Sequence, residues 1–566
     1  MASRSDSRAR EVCKRAESTF EKQSARQSLN QELAEIFFPE RASFFGADLI
    51  GDEYYRDKYD GSPMFMRWRL GNALGAMSRG RGQEWFEAKV FPDWLNEKDP
   101  VADWNADKTK TMRSLVYDER AQMGAQLSLS DQDYATFGYS CVKLTTNDDL
   151  SGLLFRTKHL ASVAGEENGE GIIDVTHERL RPTGRVALKM FERRGNLPRA
   201  LKQAAMDDPS GRLDGLMLSV FPLGEYEPSK KRPPSKDHKW VALYVDCDTE
   251  SVVQEEFFWS FPYIWRRWLQ AVANSPYAVS PCAMLALADS HMGQDIRRTM
   301  IEAMERAADP PQMIAAGAID GSLDLAPSGE NYIRRNFDWR SGKPIQAVEN
   351  GAMPNFAFEF AKSNTEAIAQ YWLINLLTLP QDREMTAYET ERLIDQDARE
   401  ASPIFEPMEG DNARMMNRAD DIGTRWGAFA PRPEQLVKRG VESKYSFETP
   451  ISIALRRLRA QQATQVISFV GQMAQLEAQY QQTQAFRSVD WHKVIRDAIR
   501  GIGPGDWVRD EQEAAGDIAG DQQEVNIQKA IQLASQTNAL ASPSALSAGK
   551  PRAALPAPAP VNAQPV

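Results

Sequence analysis

The 566-residue chain has little of what most chemistry relies on: four cysteines, five histidines and no excess of positive charge. Cys13, Cys141, Cys247 and Cys282 lie far apart, with no CxxC pair and no zinc spacing. They read as buried free thiols of a reducing cytosol. His159, His177, His238, His291 and His492 are equally scattered, and "THERL" places Glu178 after His177 without the second histidine of a zincin. The absence of G-x-x-x-x-G-K-[ST] excludes a P-loop ATPase. A G-x-S-x-G elbow and a dinucleotide fingerprint are also missing. No apolar run is long enough to span a bilayer. The first twenty residues lack the apolar segment of a signal peptide. The expectation is a soluble protein made in a cytoplasm, with no membrane contact, cofactor or metal.

With 79 acids against 68 bases, the formal net charge is −11. A general nucleic-acid coat normally needs the opposite balance, although transient contact with DNA is compatible with this one. Asp131 and Asp133, or Asp395 and Asp397, could hold a metal in principle. Neither pair lies in an Asp-rich loop, so both read as solvated faces. A dispersed active site has no local support.

What is there is mostly helix, with strands in the first half. The segment to about Phe38 is helix-prone and ends at Pro39. "YDGSPMFMRWRLGNALGAMSRG" has Ser62 as N-cap with Pro63 at the first helical position. Its small residues, among them Gly71, Gly75 and Ala76, allow close packing. "EWFEAKV" reads as a strand, and "YSCVKLTTNDDLSGLLFRTKHL" as two strands joined by an Asn-containing turn. "KWVALYVD" and "SVVQEEFFW" form another pair through "CDTE". "FFWSFPYIWRRWLQ" interleaves Trp259, Trp265 and Trp268 with Arg266 and Arg267. It could stack nucleic acid. The acidic residues just before it favour a core segment with arginines on aromatic faces.

Ser280 as N-cap, Pro281 at N1 and the stop at Pro310-Pro311 predict a helix over 281–308, about 42 Å long at the usual rise. Leu285, Met292, Ile296, Met300 and Met304 mark its expected buried side. The next stretch, to about 357, is rich in turn formers. A second helix, 358–377, carries Phe360, Ile368, Trp372 and Leu376 and breaks at Pro380. "REMTAYETER" then restarts helix with a capping box, Thr386 and Glu389. A Gln-rich helix from Ile451 to about 486 holds no steady heptad, and fits lateral packing in an oligomer as well as core packing in one chain. Two more helices follow. From Ala541 to Val566, proline and alanine supply 14 of 26 residues, too little to build a core.

The order of these pieces resembles the portal proteins of short-tailed bacteriophages, also called head-to-tail connectors. The resemblance runs from about Gln31 to Asp510. It is carried by "DGSPMFMRWRLGNALGAMSRG" with "EWFEAKV", by "DYATFGYSCVKL", by "FPYIWRRWLQAVANSPYAVSP", by "AADPPQM" and by "REMTAYETER". Tyr277-Ala278 stands where the family tends to have Tyr-Gly, and Tyr388 replaces the family's second threonine.

The resemblance implies an α+β, mainly helical subunit of a ring of about twelve copies. Residues 1–280 would be wing and body, 281–308 and 358–377 the stem helices, and 309–357 the clip. Residues 378–386 would be the tunnel loop, 387–450 a wing helix and connection, 451–540 the crown and 541–566 a disordered tail. Gln381, Asp382, Arg383 and Glu384 would face the channel, and Thr386 with Glu389 would fix where that loop ends. Implied partners are double-stranded genomic DNA, the terminase large subunit, head-tail adaptor and tail proteins, and major capsid and scaffolding proteins. The implied location is the virion, with assembly in the host cytoplasm. About twelve chains at −11 would carry roughly −132 formal charge, which discourages DNA from adhering to a channel wall. Two other readings stay open: a virion scaffold or interaction protein without a DNA channel, and a cytosolic enzyme with a dispersed site.

Overall fold

The computed structural model describes residues 7–45, residues 58–374 apart from short stretches such as 226–235 and 320–331, and residues 407–447. The chain divides into two units, 1–448 and 449–566, and the second lies outside the described residues. So do the Gln-rich helix, the two helices after it and the Pro/Ala-rich tail.

The first unit is α+β. Two helices open it, α1 (Ser7–Lys22) and α2 (Ser24–Phe37), with Pro39 beginning a short 3-10 turn beyond them. Helix α3 (Ser62–Ser78) has its proline in the first turn. Gly61, not Ser62, occupies the cap position, and the Asp60 carboxylate accepts from the Ser62 N–H at 2.9 Å. Strand β1 (Phe86–Val90), helix α4 (Asp99–Val116) and helix α5 (Met123–Phe137) follow. Strands β2 (Tyr139–Thr146), β3 (Leu153–Lys158), β4 (Val163–Glu167) and β5 (Ile173–Leu180) lead to two short helices, α6 (Gly184–Phe191) and α7 (Arg199–Asp207). Strands β6 (Leu216–Pro222), β7 (Trp240–Asp246), β8 (Ser251–Phe258) and β9 (Tyr263–Arg267) complete the body's strand-rich part.

Strands β4 to β8 form one antiparallel sheet in sequence order. The expected hairpin is there: Trp240 pairs with Phe258 and Asp246 with Ser251. Helix α1 repeats small or apolar residues at Ala9, Val12, Ala16 and Phe20, a helical stripe that packs on Val175, Val241, Leu243 and Val245 of this sheet. Cys13 and Cys247 form a disulfide across that contact, with Cα atoms 5.7 Å apart. This corrects the expectation of four free thiols. Cys141 and Cys282 are free and buried.

A second sheet has the order β3-β2-β9, and in it Tyr139 pairs with Arg267 and Cys141 with both Lys158 and Trp265. Residues 407–425 form helix α10. Helix α11 (Glu434–Arg439) and strand β12 (Ser443–Phe447) follow, and β12 pairs antiparallel with β1, bringing Phe447 opposite Phe86. The core under this region joins Trp85, Met112, Leu127, Phe155, Ile264 and Met416, residues that lie far apart in the chain.

Candidate functional site: a helical pair and its anchor

Helix α8 spans Pro281–Ala308, as its proline start and double-proline stop predict. The Ser280 hydroxyl accepts from the Ala283 N–H at 3.2 Å and donates to the Ala135 carbonyl at 2.6 Å. One serine thus caps α8 and ties it to α5. Gly138, with φ +79°, ends α5 against Val279, and its carbonyl accepts from the Trp268 N–H at 2.8 Å. The Arg26 guanidinium donates to the Phe137 carbonyl at 2.7 Å and to the Ala278 carbonyl at 2.6 Å, clamping the same junction from α2.

Further along, the Gln294 amide does two jobs. Its oxygen accepts from the Tyr59 and Asp60 N–H groups at 2.8 and 2.9 Å, and its nitrogen donates to the Asp60 carbonyl at 2.7 Å. Arg297 reaches the buried Asp60 carboxylate at 3.3 Å. The turn before α3 is therefore fixed to the middle of α8.

After α8 the chain makes a small hairpin, β10 (Gln312–Ile314) with β11 (Ile345–Ala347), and returns on α9 (Pro354–Tyr371). Helix α9 begins four residues earlier than the sequence reading, because Pro354 is tolerated in a first turn. The two helices run antiparallel. Asn364 donates to the Asp289 carbonyl at 3.0 Å, and a Cβ on Gly293 would meet the Asn364 amide at 2.8 Å. Trp372, just past α9, is fully buried, edge-on to Phe37 at 5.1 Å.

The face of α8 that packs is not the expected one. Its buried residues are Cys282, Ala283, Ala286, Ser290 and Gly293, whose small size lets α9 and the body approach closely. Leu285 is 61% exposed, Met292 38% and Met304 44%, and Phe360 on α9 is 45% exposed. Of the predicted stripe, Leu285, Met292 and Met304 face outward within one chain, while Ile296 and Met300 are half-buried.

Beneath the anchor lies a polar core. Residues Ser130–Phe137 of α5 are all buried, including Asp131 and Asp133. The solvated-face reading of that pair is wrong. Asp131 pairs with Arg79 and, at 2.7 Å, with Arg266, while Asp133 takes both nitrogens of an Arg41 fork. Burial lowers the pKa of Arg79. Burial also weighs against Arg266, but Asp131 and Asp411 outweigh it and raise the value. Asp411, from α10, is pushed up to about 7 by burial, against the pull of Arg266 and Arg414.

The other singled-out residues are structural. His177 and Glu178 point to opposite faces of β5, as successive strand residues must. His177 lies 2.7 Å from the Ser219 hydroxyl and 3.2 Å from Glu166, and burial lowers its pKa despite that carboxylate. Glu178 is buried with Lys143, Lys158 and Tyr263. Burial opposes its charge, yet the two lysines hold it at about 2. In the tryptophan-arginine stretch, Trp265 and Arg266 are core residues, Trp268 stacks on Tyr134 at 5.3 Å, and Trp259 lies under Arg425 at 4.0 Å. This is the packing reading, not a stacking platform. Among the described residues no group of three or more His, Cys, Asp or Glu could hold a metal. No described helix is long and apolar enough to cross a membrane.

Gln381, Asp382, Arg383, Glu384, Thr386 and Glu389 lie outside the described residues, as do Asp395 and Asp397. Sequence reasoning found Ser280 but missed Arg26, Asp60, Gln294 and Asn364. Arg26, Gln294 and Asn364 bond to backbone groups far along the chain, and Asp60, besides its local bond to the Ser62 N–H, meets the distant Arg297 side chain, so no local pattern signals these long-range ties.

The chain matches the family of bacteriophage head to tail connecting proteins along residues 9–505. It belongs to that family. The connector is therefore a virion component, from a structural and not an enzymatic family. No curated protein matches it. Similar solved structures include the virion of a native gene transfer agent particle, 12% identical, covering 71% of this connector and 93% of that chain at a TM-score of 0.32. Another is the neck of an empty gene transfer agent particle, 11% identical, covering 75% and 91% at a TM-score of 0.35.

Proposed function

We propose that this connector is a portal subunit: copies of it form a ring at one capsid vertex, and double-stranded DNA is packaged and later ejected through the central channel. In this reading α8 and α9 are stem helices and the β10–β11 segment is the clip. Residues 378–386 are the tunnel loop, with Gln381, Asp382, Arg383 and Glu384 toward the DNA and Thr386 with Glu389 capping the helix after it. The terminase large subunit would dock first and the head-tail adaptor and tail proteins later, within a shell of capsid and scaffolding proteins. The ring has no chemistry of its own and works as a conduit.

The observation that carries the reading is the outward apolar side of the helical pair, Leu285, Met292, Met304 and Phe360, in a member of a connector family. Apolar faces of this kind mark association surfaces, and repeated copies of one chain close most simply into a ring. The test is negative-stain imaging and mass photometry of the purified full chain. Rings with an open centre are expected. A monomer, or an assembly without a channel, would overturn the reading in favour of a scaffold or interaction protein.

A further inference from the structure

The segment between the two stem helices carries a feature that a passive connection does not need. Tyr332 and Trp339 are 67% and 65% exposed, large aromatic surfaces to leave in water. Close to them in the sequence, Arg335, Arg340 and Lys343 are exposed as well. No ion pair or side-chain hydrogen bond among the described residues engages these three cations. The one acid within the stretch, Asp338, uses its carboxylate on the Arg340 backbone N–H at 2.9 Å, which shapes the turn.

The patch is held on a framework. Ile333 bridges to Ile319, the Arg334 N–H donates to the Ala318 carbonyl at 3.0 Å, and the Phe337 ring meets Trp339 edge-on at 5.6 Å. It is a positive cluster in a chain of net charge −11.

We infer that this clip patch docks an acidic surface of a separate protein, with Trp339 and Tyr332 as apolar anchors and Arg335, Arg340 and Lys343 pairing with its carboxylates. The inference deepens the portal reading by naming the chemistry that the clip offers a partner. Three occupants compete. Duplex DNA supplies negative charge, but its bases are stacked inside the helix and leave exposed rings without a π-face to meet. A second copy of this chain would bury the outward apolar residues, Leu285, Met292 and Met304 of the stem and Met313 and Ile314 of β10, and these lie outside the run that holds Arg335, Arg340 and Lys343. Exposed tryptophan and tyrosine beside arginine are the residues that dominate protein-protein hot spots, and they suit a partner with carboxylates around an apolar depression.

The test uses the full chain and two fluorescein-labelled probes, a peptide alternating Asp-Glu pairs with leucine and a blunt DNA duplex. Fluorescence anisotropy should show the acidic peptide binding, with affinity falling as salt rises. The pair R335A/R340A and the single change W339A should each weaken peptide binding by about tenfold or more. W94A, which removes an exposed tryptophan elsewhere, should leave it unchanged. Absence of peptide binding, or loss of duplex binding on R335A/R340A with W339A silent, would overturn the inference. Rings that form normally but bind no acidic peptide would sink this inference and leave the portal reading standing. Peptide binding by a chain that forms no ring would do the reverse.

Discussion

A Cβ placed on Gly138 would lie 2.0 Å from the Val279 carbonyl carbon, so the end of α5 and the start of α8 meet with no room for a side chain. The backbone at Gly138 is also left-handed, at φ +79°. Both constraints point at the joint that aims the helical pair. Gly138→Ala is expected to destabilise the chain by at least about 2 kcal/mol, because the obstacle is backbone and cannot rotate away. Gly124→Ala, at the open start of α5, meets nothing within 4 Å and should be neutral or slightly stabilising. Urea unfolding of the two variants checks the contrast.

Asp131→Ala leaves Arg79 and Arg266 buried without their shared carboxylate. Breaking a buried pair from one side costs about 3–5 kcal/mol. Thermal denaturation should show a large fall in Tm. An exposed pair such as Lys438 with Glu434 should be near silent when broken.

Asp411 gives a pH dependence. Unfolded, its carboxyl releases its proton near pH 4, by about the ordinary value. Folded, it holds the proton up to about 7. Between those values the folded state binds more protons, so this group's contribution to stability is full below about pH 4 and is lost as pH rises through about 7. Asp411→Asn removes the titration. Melting curves should show the variant gaining on the wild type as pH is raised from about 5 to about 8.5. An unchanged difference across that range would place the titration elsewhere.

The Cys13–Cys247 disulfide closes a long loop, with 234 residues of separation. Its reduction, or Cys13→Ser with Cys247→Ser, should lower stability by about 2–4 kcal/mol. Alkylation and peptide mapping offer a second check. Cys282, whose thiol burial pushes up to about 12, should stay unmodified in the native protein while the reduced pair reacts on unfolding.

Thr386→Ala removes the proposed cap after the tunnel loop, at a local cost of about 1 kcal/mol. Combined with Arg383→Ala, it should leave rings and assembled heads intact while packaging or DNA retention falls. Wild-type packaging and retention in the double variant would rule out this placement of the loop.

Where structure was legible in the sequence, its causes were local. Ser280-Pro281 and Pro310-Pro311 set the ends of α8 because capping and the missing proline N–H act within a turn. The hairpin of β7 and β8 followed from two β-rich runs around a short turn. The candidate site was legible only in part. The alternation of Leu285, Met292 and Met304 marks an apolar stripe, but periodicity does not say what covers it, and within one chain the small residues of α8 pack instead. Asp131 sits in "SLSDQDYATF", which reads as surface by composition. It is buried because Arg79 and Arg266 arrive from 52 and 135 residues away. Cys13 pairs only because α1 crosses the sheet that carries Cys247. Local sterics and hydrogen bonds depend on neighbours in the chain, so the sequence by itself determined the ends of α8 and the strands β1, β2, β3, β7 and β8, but not β4, β5, β6 or β9. Burial of charge and pairing of thiols depend on which distant groups are brought together, and only the tertiary structure decided that.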